Sequence, residues 1–301
     1  MNNSIKILFA ILIIALLTVP NNAQSKKEFS KTFDKKERVQ ISTVTGDCEI
    51  EKSNDDKIHI LVKYTYHPDD YEIDFYEGDN SLDLEEDLYG RNPRGNSKWR
   101  VSIPDDVRLK VTSGTGNIKI ENLKTDFTGN SGTGNIDMQN CSGSFDLNSG
   151  TGNIYGLSVQ GEFKLNSGTG NVELKTVTGE FDLNSGTGDV EVDNLLFEKS
   201  SKLNSGTGDV YVRISSAPKD DVSINSGTGD AELNMNGIEP SGYFELECNA
   251  DDGRIISDFD FDQEKEYWRR NELYLKKSFT KGDDSIKVKI SSGTGKASLL
   301  E

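Results

Sequence analysis

Histidine is nearly absent from this chain: His59 and His67 are the two in 301 residues. So few leave little from which to build a Ser-His-Asp triad or a histidine-based metal centre. Cysteine is almost as scarce, and three residues make an odd number too small for a disulfide scaffold. Cys48 and Cys141 fall at inward-facing positions of the pattern described below, and Cys248 falls near a corner. All three are expected as buried free thiols acting as small hydrophobes. Positive charge is also short: 34 Lys and Arg stand against 51 Asp and Glu, a net charge of -17. A surface of that sign repels nucleic acid and anionic lipid, so neither DNA nor RNA is expected as a partner. Long apolar runs are missing with one exception, Ile7 to Leu17, which follows Lys6 and precedes Pro20 and the small-residue site Asn21-Asn22-Ala23. This reads as a secretory signal peptide over residues 1–23. The run is shorter than the ~20 apolar residues that span a bilayer. The mature chain is therefore not expected to be an integral membrane protein, and its expected place is secreted, periplasmic or in the cell envelope.

Glycine is plentiful, at 29 residues, and it is placed with regularity. The tetrapeptide Ser-Gly-Thr-Gly begins at Ser113, Ser131, Ser149, Ser167, Ser185, Ser205, Ser226 and Ser292. The first five copies are 18 residues apart, and the next two steps are 20 and 21. A fixed period of this length marks a solenoid in which each repeat is one coil stacked on the last. Counted from the Ser, Phe127, Phe145, Phe163 and Phe181 stand four residues before it, and Leu147, Leu165, Leu183, Leu203 and Ile224 two before. Ile118, Ile136, Ile154, Val172, Val190 and Val210 stand five after. Apolar residues alternate with polar ones on both sides of the tetrapeptide, the period of half-buried strands, and helical spacing is missing. Equivalent strands of successive coils then pair in parallel and in register, and a right-handed crossover is the default for such a chain. The expected fold is all-β, a single-stranded right-handed parallel β-helix of about 18 residues per coil with divergent capping coils at both ends.

In this reading the tetrapeptide is a tight corner whose glycines supply positive φ: Gly114, Gly116, Gly132, Gly134, Gly150, Gly152, Gly168, Gly170, Gly186, Gly188, Gly206, Gly208, Gly227 and Gly229. The asparagines just before each Ser, from Asn130 to Asn225, are placed to bond up and down the stack as a ladder. Residues 113–240 form the regular solenoid, 24–112 the N-terminal divergent coils and cap, and 241–301 the C-terminal coils and cap with an irregular insertion. Ile41 to Ile50 repeats the later Thr-Gly-Asn-Ile pattern as a divergent coil. Residues 69–87 hold ten acidic residues and read as a solvated edge strand or a cation-binding loop. Glu264 to Arg270 breaks the pattern and is expected as a protruding loop or short helix.

The signal peptide, the early Thr45-Gly46-Asp47-Cys48-Glu49-Ile50 coil, Val101-Ser102-Ile103-Pro104 and the serial Ser-Gly-Thr-Gly-Asn/Asp coils together resemble a bacterial family of unknown function. Its members are labelled putative adhesins, and the resemblance covers nearly all of the mature chain. It implies a secreted or cell-envelope β-solenoid with no catalytic residues to carry over. For some relatives it implies a link to sensing envelope stress.

Chemistry-bearing residues are few. The Gly-x-Gly pieces recur in every coil with no helix after them, so they are not a dinucleotide fingerprint. Asp189, Asp209 and Asp230 follow the corner in three successive coils, and their oxygens make a candidate calcium row. Beside the cation-binding reading of residues 69–87, that row is where the sequence leaves a cofactor open; otherwise none is expected. Tyr267, Trp268, Arg269 and Arg270 are the candidate binding residues, because Tyr, Trp and Arg concentrate at hot spots; the same residues suit a cap that closes the core. The outward residues Lys119, Asp137, Glu173, Glu191 and Tyr211 vary from coil to coil and form no catalytic set. The expected function is thus non-enzymatic: a surface-binding protein, adhesin-like, whose partner is a cell-surface protein or glycan. A polysaccharide-processing enzyme on the same fold, or an envelope-stress sensing scaffold, is the alternative.

Overall fold

A computed structural model describes residues 27–282 and 284–301. The signal-peptide segment lies outside the described residues. Strands follow one another along the whole described chain, and helix is limited to one 3₁₀ turn, Pro68–Asp70. No helix of the described residues is long and apolar enough to cross a membrane.

The middle of the molecule is a parallel stack. Lys124–Thr133 pairs with Ser142–Thr151, which pairs with Ile154–Thr169, and each residue faces the one 18 further along: Phe127 to Phe145, Asn130 to Asn148, Ser131 to Ser149. A second row of short strands, Ile118–Glu121, Ile136–Gln139 and the start of Ile154–Thr169, pairs in the same way. One apolar core runs through the stack. Phe145, Phe163 and Phe181 lie ring on ring, with centroids 5.2 and 5.1 Å apart. This near match to the strand spacing of about 4.8 Å is why identical residues recur at the period: each ring packs on its copy. The extra residues of the 20- and 21-residue repeats bulge out beyond Phe197 and Ile214, so Asn184, Asn204 and Asn225 keep their register.

The ends depart from a simple winding. The first coil in sequence, Arg38–Thr43 with Asp47–Lys52, pairs on one side with Arg108–Thr115 and Ile118–Glu121. On its other side it pairs with Ser81–Leu88 and Ser97–Ile103. It is therefore an interior layer. The C-terminal end mirrors this. Lys287–Thr294 and Lys296–Leu300 sit between Val222–Thr228 with Ala231–Asn234 and Gly242–Asn249 with Arg254–Ser257. The outermost strands are antiparallel: Lys27–Asp34 and Lys57–Tyr64 at one end, beside the hairpin Tyr71–Glu77/Ser81–Leu88, and Gln263–Arg269 and Glu272–Lys281 at the other. Coils laid down in chain order would leave their last strand bare. Inserting the terminal layer and folding a hairpin outside it covers the parallel edge and closes the core with Phe29, Phe33 and Phe75 at one end and Phe244, Phe259 and Phe279 at the other. All three cysteines are buried and free.

Candidate functional site

The tetrapeptide divides into four roles. Its Ser points inward, and the hydroxyl donates to the second Gly of the coil before: Ser149 Oγ to Gly134 O and Ser167 Oγ to Gly152 O, both at 2.9 Å. The first Gly lies within a strand and not at a positive-φ corner, unlike the sequence expectation. It is glycine because a Cβ there would meet the carbonyl oxygen of the coil below: 2.5 Å from Gly132 to Gly114 O, 2.6 Å from Gly150 to Gly132 O. The same holds for Gly114, Gly168, Gly186, Gly206 and Gly227. The Thr faces solvent. The second Gly makes the bend: Gly134, Gly152, Gly170, Gly188, Gly208 and Gly229 have φ between +132° and +154°. Gly116 alone of this set lacks the positive φ, yet a Cβ on it would stand 2.4 Å from Gly46 O.

Asp189, Asp209 and Asp230 belong to a hydrogen-bond ladder along that bend. The backbone N–H of each donates to the side-chain oxygen of the residue one coil back. Asp209 N reaches Asp189 Oδ1 at 2.8 Å, Asp230 N reaches Asp209 Oδ1 at 2.7 Å, and Lys296 N reaches Asp230 Oδ1 at 2.8 Å. The ladder begins at Asp47 and continues through Asn117, Asn135, Asn153 and Asn171. One oxygen of each Asp is thus committed to the backbone, and Asp230 Oδ2 is held by Lys296 Nζ at 2.8 Å. Among the described residues no group of three or more His, Cys, Asp or Glu is arranged to hold a metal ion. The Asn row before each Ser forms the second ladder: Asn166 Nδ2 donates to Asn148 Oδ1 at 3.0 Å and Asn184 Nδ2 to Asn166 Oδ1 at 3.1 Å.

Tyr267, Trp268, Arg269 and Arg270 lie on a β-hairpin, and neither a loop nor a short helix stands there. Gln263–Arg269 pairs antiparallel with Glu272–Lys281, and Arg270 and Asn271 form the two-residue turn with φ of +51° and +68°. Two consecutive positive φ values match the right-handed twist of a hairpin, which is why this turn closes so tightly. Alternation sends the four residues in different directions. Tyr267 and Arg269 face the solenoid: Tyr267 stacks on Tyr274 at 5.9 Å, and the Arg269 guanidinium lies 3.9 Å over the Tyr274 ring and 3.2 Å from Glu247. Trp268 faces outward and is 72% exposed.

Two buried acids underpin the caps. Glu247 is buried in the strand Gly242–Asn249 and accepts from Arg269 and from Lys289 Nζ at 3.1 Å. Burial and the hydrogen bond donated to Glu247 push the Tyr267 phenol up to about 12. Glu245, two residues away, is pushed up by burial, but Lys276 and Lys289 outweigh that and hold its carboxyl below the usual range. A depressed carboxylate gives stability that is complete above the unfolded value, about 4.3, and is lost as pH falls through the folded value. Glu245→Gln is expected to flatten the acid limb of stability against pH below about 4.3, read as urea midpoints across an acid series. At the other end Glu86 Oε2 accepts from Val44 N at 2.7 Å and Thr45 N at 3.1 Å, and Ser97 donates to Oε1. Glu86 so fixes the bend of the inserted first coil. Burial, then the Glu86 charge, push the Tyr71 phenol up beside it. Glu247 was not singled out in the sequence, and Glu86 only as one of the ten acids of residues 69–87. Glu86 was visible as a charge at an inward position after Leu82 and Leu84; Glu247 faces outward along its strand, and only the hairpin folded over it buries it.

In the acidic segment, Tyr71–Glu77 is an edge strand, and its outward residues face their own kind: Glu72 opposite Asp87 and Asp74 opposite Glu85.

Long ladders of identical residues on an all-β stack closed by hairpins define the class: a β-solenoid-like protein built around inter-coil bonding. The chain belongs to the Toastrack DUF4097 family, whose model matches residues 36–242. Solved structures similar to it include a putative adhesin from Bacteroides fragilis, at 15% identity over 92% of this chain and 99% of that one, with a TM-score of 0.44. A putative lipid binding protein from Parabacteroides distasonis is 12% identical over 92% and 97%, with a TM-score of 0.48. A putative cell adhesion protein from Clostridium sporogenes is 13% identical over 92% and 99%, with a TM-score of 0.25. No curated protein matches the sequence.

Proposed function

We propose that the protein is a non-enzymatic, secreted or cell-envelope β-solenoid that binds a cell-surface partner, in the manner of an adhesin. We read its stack as a right-handed parallel β-helix with about 18 residues per coil, exported by the signal peptide at residues 1–23. The observation that supports a binding role is Trp268. An indole 72% exposed on a hairpin tip gains nothing from folding. Beside it Arg269 is held by Glu247 and Tyr274, so the strand that carries the indole is anchored to the cap. An aromatic so placed is the kind of anchor on which interfaces concentrate their energy. Calcium along Asp189, Asp209 and Asp230 remains a separate, testable addition, and a rise in melting temperature on adding calcium is its measure.

Trp268→Ala is expected to leave the urea midpoint within about 0.5 kcal/mol of the parent, as for an exposed position. Capture of the mature chain on cells and on a glycan array is expected to fall about tenfold or more, as for a hot-spot residue. Undiminished capture by the variant removes the hairpin from the binding surface. Cleavage of an offered polysaccharide by the parent protein removes the non-enzymatic reading.

A further inference from the structure

The outward face of the long strands carries a cavity of about 190 Å³ lined by Arg38, Arg108, Lys110, Asp126, Thr128, Ser144 and Asp146, with Leu109 and Phe127 at its base. It lies among the first layers of the stack, at the opposite end from the Trp268 hairpin and independent of it. Arg38 and Arg108 are direct neighbours across the parallel pair. Like charges so placed repel, and in a chain of net charge -17 there are acids enough to separate them. Arg38 is paired with Asp83 at 3.2 Å, while the side chains of Arg108 and Lys110 make no hydrogen bond or ion pair among the described residues. A trough lies next to the cavity along the same strands. Two residues on along the same strands, Lys110 is followed by Thr112, Thr128 by Asn130 and Asp146 by Asn148, and a groove of about 640 Å³ runs from there past Asn166 to Asn184 over the glycine row. Gly114, Gly132, Gly150 and Gly168 line it.

We infer that this cavity binds the carboxylate of an acidic sugar unit, with the adjoining trough taking the rest of an oligosaccharide. Arg108 presents a planar fork that matches a carboxylate, and Lys110 adds a second donor. Asp126 accepts from sugar hydroxyls, and so does Asp146 beside its contacts with Asn148 Nδ2 at 3.2 Å and Lys164 Nζ at 3.7 Å; Thr128 and Ser144 supply hydroxyls of their own. A bare inorganic anion would be served by the cations and repelled by the two aspartates; a polyhydroxylated carboxylate uses both.

The test uses the mature chain, an oligogalacturonate, its carboxyl-reduced neutral counterpart and sodium sulfate, followed by calorimetry and by amide NMR shifts. The oligogalacturonate is expected to bind and to shift the amides of Arg108, Lys110 and Thr128, and the neutral oligosaccharide to bind about tenfold more weakly, the effect of one charge-assisted bond. Arg108→Ala with Lys110→Ala is expected to lose about tenfold or more on the same ground, while Lys202→Ala, farther along the same face, loses nothing. Both cations are exposed, so the urea midpoint of the double variant stays at that of the parent. The inference is overturned if the oligogalacturonate fails to bind, if shifts fall outside the cavity and trough, if the neutral form binds equally, or if sulfate binds as tightly as the uronate.

Discussion

Gly161→Ala is expected to destabilise the protein by roughly 4 kcal/mol or more, the range reserved for severe single substitutions. A Cβ at Gly161 would stand 1.8 Å from the carbonyl oxygen of Gly143 and 2.9 Å from its carbon, at a φ of +141°. No side chain can swing aside to relieve this, because the obstacle is backbone. Nor can the backbone retreat. Gly143 itself lies against Thr125, with 2.0 Å from its would-be Cβ to Thr125 O, and Gly179 lies against Gly161 at 1.8 Å. The column 125–143–161–179 is one close contact repeated, so pushing one coil away opens the ladder on both sides. Gly237→Ala is the control. Its φ is +75°, but nothing lies within 4 Å. It should cost about 1 kcal/mol, the penalty of the left-handed region alone. Urea unfolding of the two variants separates close packing from backbone preference. Equal losses would mean that the stacking contact contributes nothing.

The regular coils were legible in the sequence because each one repeats the same local statement. The Phe column, the alternation around it and the Asn row follow from spacing alone, since identical layers put identical residues in contact. Gly143, Gly161 and Gly179 recur at the 18-residue spacing, but nothing constant in the sequence marks the left-handed corner just before them. Its residues are Asn122, Asn140, Ser158, Thr176 and Asn194, with φ between +52° and +57°, and only the three asparagines advertise that conformation. Thr176, β-branched, holds it because the coils above and below do, and Asn194 Nδ2 donates to its hydroxyl at 3.2 Å. The layer order at the ends was not legible. Ile41 to Ile50 reads as a coil wherever it sits, and nothing in its letters says that residues 81–103 will stack outside it. Order along the chain is local information, whereas order in the stack is decided by which edge can be covered. The same reason hides the hairpin. Tyr267 to Arg270 was visible as a break in the pattern, but the partner that turns Arg269 inward and Trp268 outward, Glu247 under Tyr274, lies in other strands.

Removing residues 286–301 is expected to undo the C-terminal cap and not merely to shorten the stack. In a solenoid wound in chain order the last coil is the outermost and its loss exposes one new edge. Here Lys287–Thr294 and Lys296–Leu300 are an interior layer, with Val222–Thr228 on one side and Gly242–Asn249 on the other. Val288, Ile290 and Leu299 are fully buried within it. Three such side chains contribute about 5–9 kcal/mol on burial, against a total stability of about 5–15 kcal/mol for a typical domain. The strand Gly242–Asn249 would keep its antiparallel partner but lose its attachment to the stack, and Glu245 and Glu247 would lose Lys289, one of the cations that hold them. The truncated chain should therefore exchange amide protons rapidly from about residue 222 onward and be cleaved by protease within residues 242–281. Excising residues 154–171 provides the contrast. It takes out one whole coil and joins Asn153 to Val172, which stand in the places that Asn171 and Ile154 hold in the ladder, so every pairing to the residue 18 positions on is restored. That variant loses a similar number of residues yet should still unfold cooperatively, with both caps protected from exchange. A truncated chain that matched the excision variant in urea midpoint and kept its cap protected would show that the terminal layer is not what joins the hairpin to the stack.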